Sequence, residues 1–191
     1  MLLDAPLRWF AIGVGVVAFG VSGLFGGFEK ASTRPPGPPA VAPSAANIGK
    51  PWNVTVLSVV VLDKLEPLRL KHPGDRWIAV VAVIEVTAER SFNVGRAIRI
   101  RGAEGVETEP DQIRLVRDTS TVAELQPGVP EKVGFFWEQA ADAPVPTEVD
   151  VGIFGQTYAY DETSHLPGWL PDGSARAHVL MKPQDRRGAA S

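Results

Sequence analysis

The chain has 191 residues, a net charge of −3 at pH 7 and no cysteine. That composition excludes disulfides, a cysteine nucleophile, thiolate metal sites and the lipid-modified cysteine of a lipoprotein. Basic and acidic residues are mixed along the chain without the basic stripe of a nucleic-acid binder, so no nucleic acid is expected as a partner.

Residues 1–8 form a short N-terminal flank carrying Arg8. Trp9–Phe28 (WFAIGVGVVAFGVSGLFGGF) then runs without an ionisable side chain. As a helix it would measure about 30 Å, the thickness of a bilayer's hydrocarbon core. A single transmembrane helix is therefore expected at 9–28. Ala11, Gly15, Ala18, Ser22 and Gly26 recur at spacings of four and three, with Gly23 and Gly27 as a GxxxG beside them. Small residues let helix backbones approach closely in lipid, so these seven make a candidate packing face for another membrane protein or a second copy. A cleaved signal peptide has a shorter apolar region with a small-x-small site directly after it. Here Phe28-Glu29-Lys30 follows, and Ala40-Val41-Ala42 lies far downstream, so an uncleaved anchor is the reading. Flanking charges are nearly balanced. The β-rich domain that follows favours an N-terminus inside and the domain outside. Arginine outnumbers lysine, and Ala, Gly, Val and Pro are abundant, which suggests a GC-rich coding bias and a bacterial cytoplasmic membrane.

Residues 29–47 contain Pro35-Pro36-Gly37-Pro38-Pro39 and are expected to be an extended, semi-rigid spacer. From 48 to 183 the signal is β. Trp52–Leu62 is dominated by β-branched residues, Leu65–Asp75 is a proline- and glycine-bearing loop, and Arg76–Thr87 is apolar on both parities, as for a central strand covered on both sides. Within it, Trp77 and Val81 share one face and Val80 and Ile84 the other, and Val81→Asp is expected to unfold the domain. Further strands are expected at Gly95–Arg101, Gln112–Val116, Thr121–Leu125, Lys132–Trp137, Glu148–Phe154, Thr157–Tyr160 and Ala177–Met181. Short strands between Gly/Pro turns, without an amphipathic helix, indicate an all-β, immunoglobulin-like β-sandwich. Residues 184–191 are expected to be a disordered tail.

The first strand (Val54–Leu62), the long second strand (Trp77–Val86) and the turn Leu125-Gln126-Pro127-Gly128 leading into Val133-Gly134-Phe135-Phe136-Trp137 carry a resemblance. Over Trp52–Phe154 the layout resembles the telokin-like, immunoglobulin-like extracytoplasmic domains of unknown function in bacterial membrane-anchored proteins and lipoproteins. Ala88-Glu89-Arg90-Ser91 stands where that family often has an Asn-x-Ser-like turn, and a helix replaces its usual lipobox. The resemblance implies no catalytic residues.

Chemistry-bearing residues are sparse. His72, His165 and His178 lie beyond local ligand spacing of one another. Asp161, Glu162, Ser164 and His165 could be imagined as a hydrolytic cluster, but neighbours on an extended segment point apart. Glu104, Glu107, Glu109 and Asp111 lack the order of a calcium loop and suit a solvated hairpin end. No P-loop, dinucleotide fingerprint or zinc motif occurs, so no cofactor and no enzymatic activity is expected. Tyr158, Tyr160, Leu166, Trp169 and Leu170, in a proline-braced loop, either fold back over an open sandwich edge or form a partner-binding patch. The expected function is a single-pass, membrane-anchored extracytoplasmic binding or accessory module. A hydrolase using Asp161 and His165, or a purely structural envelope protein, are the alternatives.

Overall fold

Val- and Ile-rich runs bounded by prolines become the long strands at the centre of the molecule. The computed structural model describes residues 37–188, so the expected membrane span and its packing face at Ala11, Gly15, Ala18, Ser22, Gly23, Gly26 and Gly27 lie outside the described residues. Among those residues no helix is long and apolar enough to cross a membrane. In chain order the strands are β1 (Ala46–Asn47), β2 (Trp52–Leu62), β3 (Arg76–Val86), β4 (Ile98–Arg101), β5 (Gln112–Leu115) and β6 (Glu131–Gln139). They continue with β7 (Val149–Ile153), β8 (Gln156–Asp161), β9 (Leu166–Pro171), β10 (Ala177–Met181) and β11 (Gln184–Asp185).

One sheet has the order β1-β2-β3-β6-β5, with β11 beside β2; a second has the order β10-β7-β4. Their facing sides share one core, to which β2, β3 and β6 give Val54, Ile78, Val80, Ile84, Phe135 and Trp137. Opposite them, β4, β7 and β10 give Ile98, Ile100, Val151, Ile153 and Val179. Two sheets, antiparallel apart from β11, with such a common interior make an all-β sandwich. Each large apolar side chain buried there contributes about 1.5–3 kcal/mol.

Alternation is broken once in β2, where the register with β3 shifts between Val56 and Ser58. A bulge adds one residue on one strand, so the inward set changes parity. Val54 and Val56 face the core before it and Val59 after it. That change of parity is why the sequence of β2 shows no clean alternation.

β3 is apolar on both parities because both its faces are covered. Its outward Trp77 and Ala79, with Phe136 of β6, pack under Leu62 at the end of β2 and Leu65, Leu68 and Leu70 of the loop that precedes β3. Val81, on that same outward face, is only half-buried and lines a groove of about 340 Å³ with Val60, Leu65 and Phe136. The expectation that Val81→Asp unfolds the domain is therefore corrected: the position sealed between the sheets is Val80.

Other expectations are also corrected. Thr121–Leu125 forms no strand and makes single bridges, Thr121 to Arg114 and Leu125 to Phe92. Leu166–Pro171, expected as a loop, is β9 and pairs with β8. Its prolines are tolerated because a two-stranded ribbon has an open edge on which a missing N–H costs little. Part of the expected spacer is stitched to the domain: the Val41 amide donates to the His178 carbonyl at 2.8 Å, and β1 pairs with β2. The tail at 184–188 is likewise ordered, with β11 parallel to Val60 and Val61 and the Arg186 amide donating to the Val61 carbonyl at 2.9 Å. Polar side chains hid these edge pairings, which rest on backbone groups.

Candidate functional site

The β8–β9 hairpin holds all five candidate partner-binding residues, and its register sorts them onto two faces. Tyr158 lies opposite Trp169 and Tyr160 opposite Pro167, whereas Thr157 faces Leu170 and Asp161 faces Leu166. Strand alternation then places Tyr158, Tyr160 and Trp169 on one side and Leu166 and Leu170 on the other. The five do not form a single patch.

Trp169 fastens the hairpin to the sandwich. Its ring meets Phe92 edge-on at 5.4 Å between centroids, and Phe92 in turn meets Trp52 of β2 at 6.0 Å. Trp52 is fixed by its indole N–H, which donates to the Phe154 carbonyl at 2.8 Å. Tyr158 completes the series against Trp169 at 5.5 Å. Edge-to-face pairs of this kind contribute about 0.5–1.5 kcal/mol each beyond their buried area. The outer members remain in solvent: Tyr158 and Tyr160 are each 59% exposed and Leu166 64%. So Trp169 folds back over the core, while the two tyrosines stand clear of it.

At the hairpin's tip Asp161 serves the turn. Its Oδ1 accepts the Thr163 amide at 2.9 Å. That bond, followed by the Ser164 hydroxyl, holds the Asp161 carboxyl below its ordinary value of 3.8. A depressed folded value means the contribution is complete above the ordinary value and is lost as pH falls through the folded one. Followed by NMR, Asp161 should titrate below 3.8, and Asp161→Asn should remove the acid dependence of the Thr163 amide shift. A midpoint at or above the ordinary value would show that the turn is not capped this way. His165 closes the same turn in the left-handed region, at φ 56°. Among the described residues no hydrogen bond joins it to Asp161.

His178 lies elsewhere, on the three-stranded sheet, with its Nδ1 at 2.9 Å from Asp150 and with Arg101 Nη2 at 3.1 Å from the same carboxylate. His72 lies in a cleft beside Asp75 and Glu138, with Lys71, Glu107 and Asp111 also in its lining. Asp111 accepts from the Lys71 ammonium, and that contact holds the ammonium above its ordinary value. Of the acidic cluster expected at a solvated hairpin end, Glu107 and Asp111 thus line this cleft, while Glu109 lies at 3.7 Å from both Arg96 and Arg99.

No protein-family model matches the chain, and no curated protein does. Two solved structures are similar in fold. An uncharacterised β-sandwich protein from Clostridium difficile 630 is 13% identical with a TM-score of 0.47, the match covering 76% of this chain and 95% of that one. A candidate lipoprotein from Staphylococcus aureus subsp. aureus NCTC 8325 is 10% identical with a TM-score of 0.43, covering 74% of this chain and 97% of that one.

Sequence reasoning found the hairpin's aromatic residues but missed the His72 cleft. His72 and Asp75 stand three apart, which was visible; Glu138 joins them only through the pairing of β3 with β6.

Proposed function

We propose that the chain is a single-pass membrane protein of the bacterial envelope. Its outward, immunoglobulin-like sandwich binds another membrane or envelope protein without catalysing a reaction. The observation that carries this reading is the pair Tyr158 and Tyr160, two exposed aromatic residues in step on one face of a hairpin that Trp169 holds rigid. Tyrosine supplies a large contact area with a polar tip at small entropic cost, and is enriched at interface centres. A hairpin fixed in advance loses little freedom on binding. The anchor rests on the apolar run at 9–28, whose small-residue face is a second contact surface. The Asp161 carboxylate, engaged with its own turn, favours binding over hydrolysis.

The test is photo-crosslinking in native membranes from a photoreactive residue placed at Tyr160. A discrete adduct with an envelope protein is expected. The double variant Tyr158→Ser/Tyr160→Ser should lower co-purification of that protein at least about tenfold, while losing only the Tyr158–Trp169 contact, about 0.5–1.5 kcal/mol, and so remaining folded. Leu166→Ser, on the opposite face, should retain it. Equal recovery with the double variant would remove the hairpin from the interface.

A further inference from the structure

Glu138 lies near the end of β6, and alternation puts it on the outward face with Phe136, while Trp137 points into the core. The loop before β3 crosses this spot. The amides of Lys71 and His72 both donate to Glu138 Oε1, at 2.5 and 3.1 Å. Asp75, the residue just before β3, reaches the same place, its Oδ1 accepting the Ala141 amide at 3.0 Å. Its other oxygen, Oδ2, lies 3.3 Å from His72 Nδ1, and Glu138 Oε1 lies 4.0 Å from that same nitrogen. One donor atom from each of the three residues thus falls within 4.8 Å of the others. All three line an open cleft of about 410 Å³.

A second observation is independent of this clustering. Among the described residues, Glu138 Oε2 is buried and meets no hydrogen-bond partner, and its side chain is only 6% exposed. A desolvated carboxylate oxygen left unpaired is costly, and native structures rarely keep one without a reason. Nearby charges do not supply the missing cation. Lys71 is committed to Asp111, and Asp111 also accepts the Glu138 amide at 2.9 Å. What remains around the cleft is Asp75, Glu107 and Glu138 against the His72 imidazole.

We propose that His72, Asp75 and Glu138 bind one divalent transition-metal ion of the zinc type. One imidazole with two carboxylates suits such a borderline ion, whereas calcium and magnesium are held by oxygen alone. Ligands at about 2.0–2.2 Å from tetrahedral zinc stand roughly 3.3 Å apart. His72 and Asp75 already have that separation, and His72, 75% exposed, is free to turn toward Glu138. Glu138 and Asp75 are held by backbone amides, which orients both carboxylates before the ion arrives. The open side of the cleft leaves a further coordination position to water.

Calorimetric titration of the untagged, chelator-stripped full-length chain in mild detergent with zinc chloride tests this. One ion per chain is expected, with a rise in Tm on saturation. His72→Ala and Glu138→Gln should each weaken binding at least about tenfold and abolish the zinc-dependent rise in Tm. His165→Asn, at the other exposed histidine, should bind as the unsubstituted chain does. His72→Ala alters an exposed side chain, so it decides the matter even if Glu138→Gln does not fold. Absence of zinc binding, or affinity unchanged by His72→Ala, overturns the site. Calcium bound as tightly as zinc overturns the imidazole's part in it.

Discussion

Val80→Asp is expected to abolish folding, whereas Val81→Asp, one residue further along β3, should leave a folded protein. Val80 is fully buried between Val59 of β2 and Phe135 of β6. A carboxylate there has neither water nor a cation, and the effective penalty of an unpaired buried ion is several kcal/mol. Whole domains are stable by only about 5–15 kcal/mol, so this single change consumes most or all of the margin. Val81 lies between Ser58 and Gly134 and opens to the outer groove, where a carboxylate can reach solvent. Its substitution should cost about 1 kcal/mol. Urea unfolding followed by circular dichroism of the two variants gives the comparison. Equal losses at the two positions would mean that the outer groove is closed and both faces of β3 are equally dry.

Gln139→Leu should destabilise the domain by about 1.5–3 kcal/mol, because it takes the Nε acceptor away from a buried guanidinium. Arg76 is 7% exposed and Gln139 fully buried. Among the described residues no carboxylate lies within ion-pair distance of Arg76. Its Nε donates to Gln139 Oε1 at 2.9 Å, and its Nη2 donates to the Ala140 carbonyl at 3.1 Å and to that of Ala143. Gln139 Nε2 then donates to the carbonyls of Glu104 at 2.7 Å and Pro144 at 3.0 Å. Leucine keeps the volume but removes an acceptor from a buried guanidinium and a donor from two carbonyls, and each unmet group retains its desolvation cost. Replacing both partners, Arg76→Leu with Gln139→Leu, should recover part of the loss, since an apolar pair leaves no buried charge. Additive losses in that double-mutant cycle would show that the two side chains act independently.

The long central strands were legible because their cause is local. Trp52–Leu62 was expected at the limits it has, and Arg76–Thr87 within one residue of β3, since β-branched runs ending at proline or glycine turns have few other conformations open to them. The covering of β3 on both faces was legible for the same reason: no polar residue interrupts Trp77–Ile84. Less visible were elements held by pairing rather than by their own side chains. β9 carries two prolines, and β1 and β11 are two residues long; each exists because a neighbouring strand offers free backbone groups. Thr121–Leu125 is the opposite case, with a β-like composition but only isolated bridges.

For the candidate sites the division follows the same line. Sequence alone singled out Tyr158, Tyr160, Leu166, Trp169 and Leu170, since large apolar residues crowded among prolines must either be covered or be used. Only the register of β8 with β9 decided that Trp169 is covered while Tyr158 and Tyr160 stay in solvent, and that Leu166 points the other way. The bulge in β2 decided which valines enter the core, because one extra residue reverses every later side chain. Composition and periodicity determined that this chain makes β-strands and where the longest of them lie. Tertiary structure decided which distant side chains meet. Glu138 comes beside His72 and Asp75, and Arg76 beside Gln139, through hydrogen bonds between β3 and β6, whose register depends on the whole sheet and is not encoded in any local pattern.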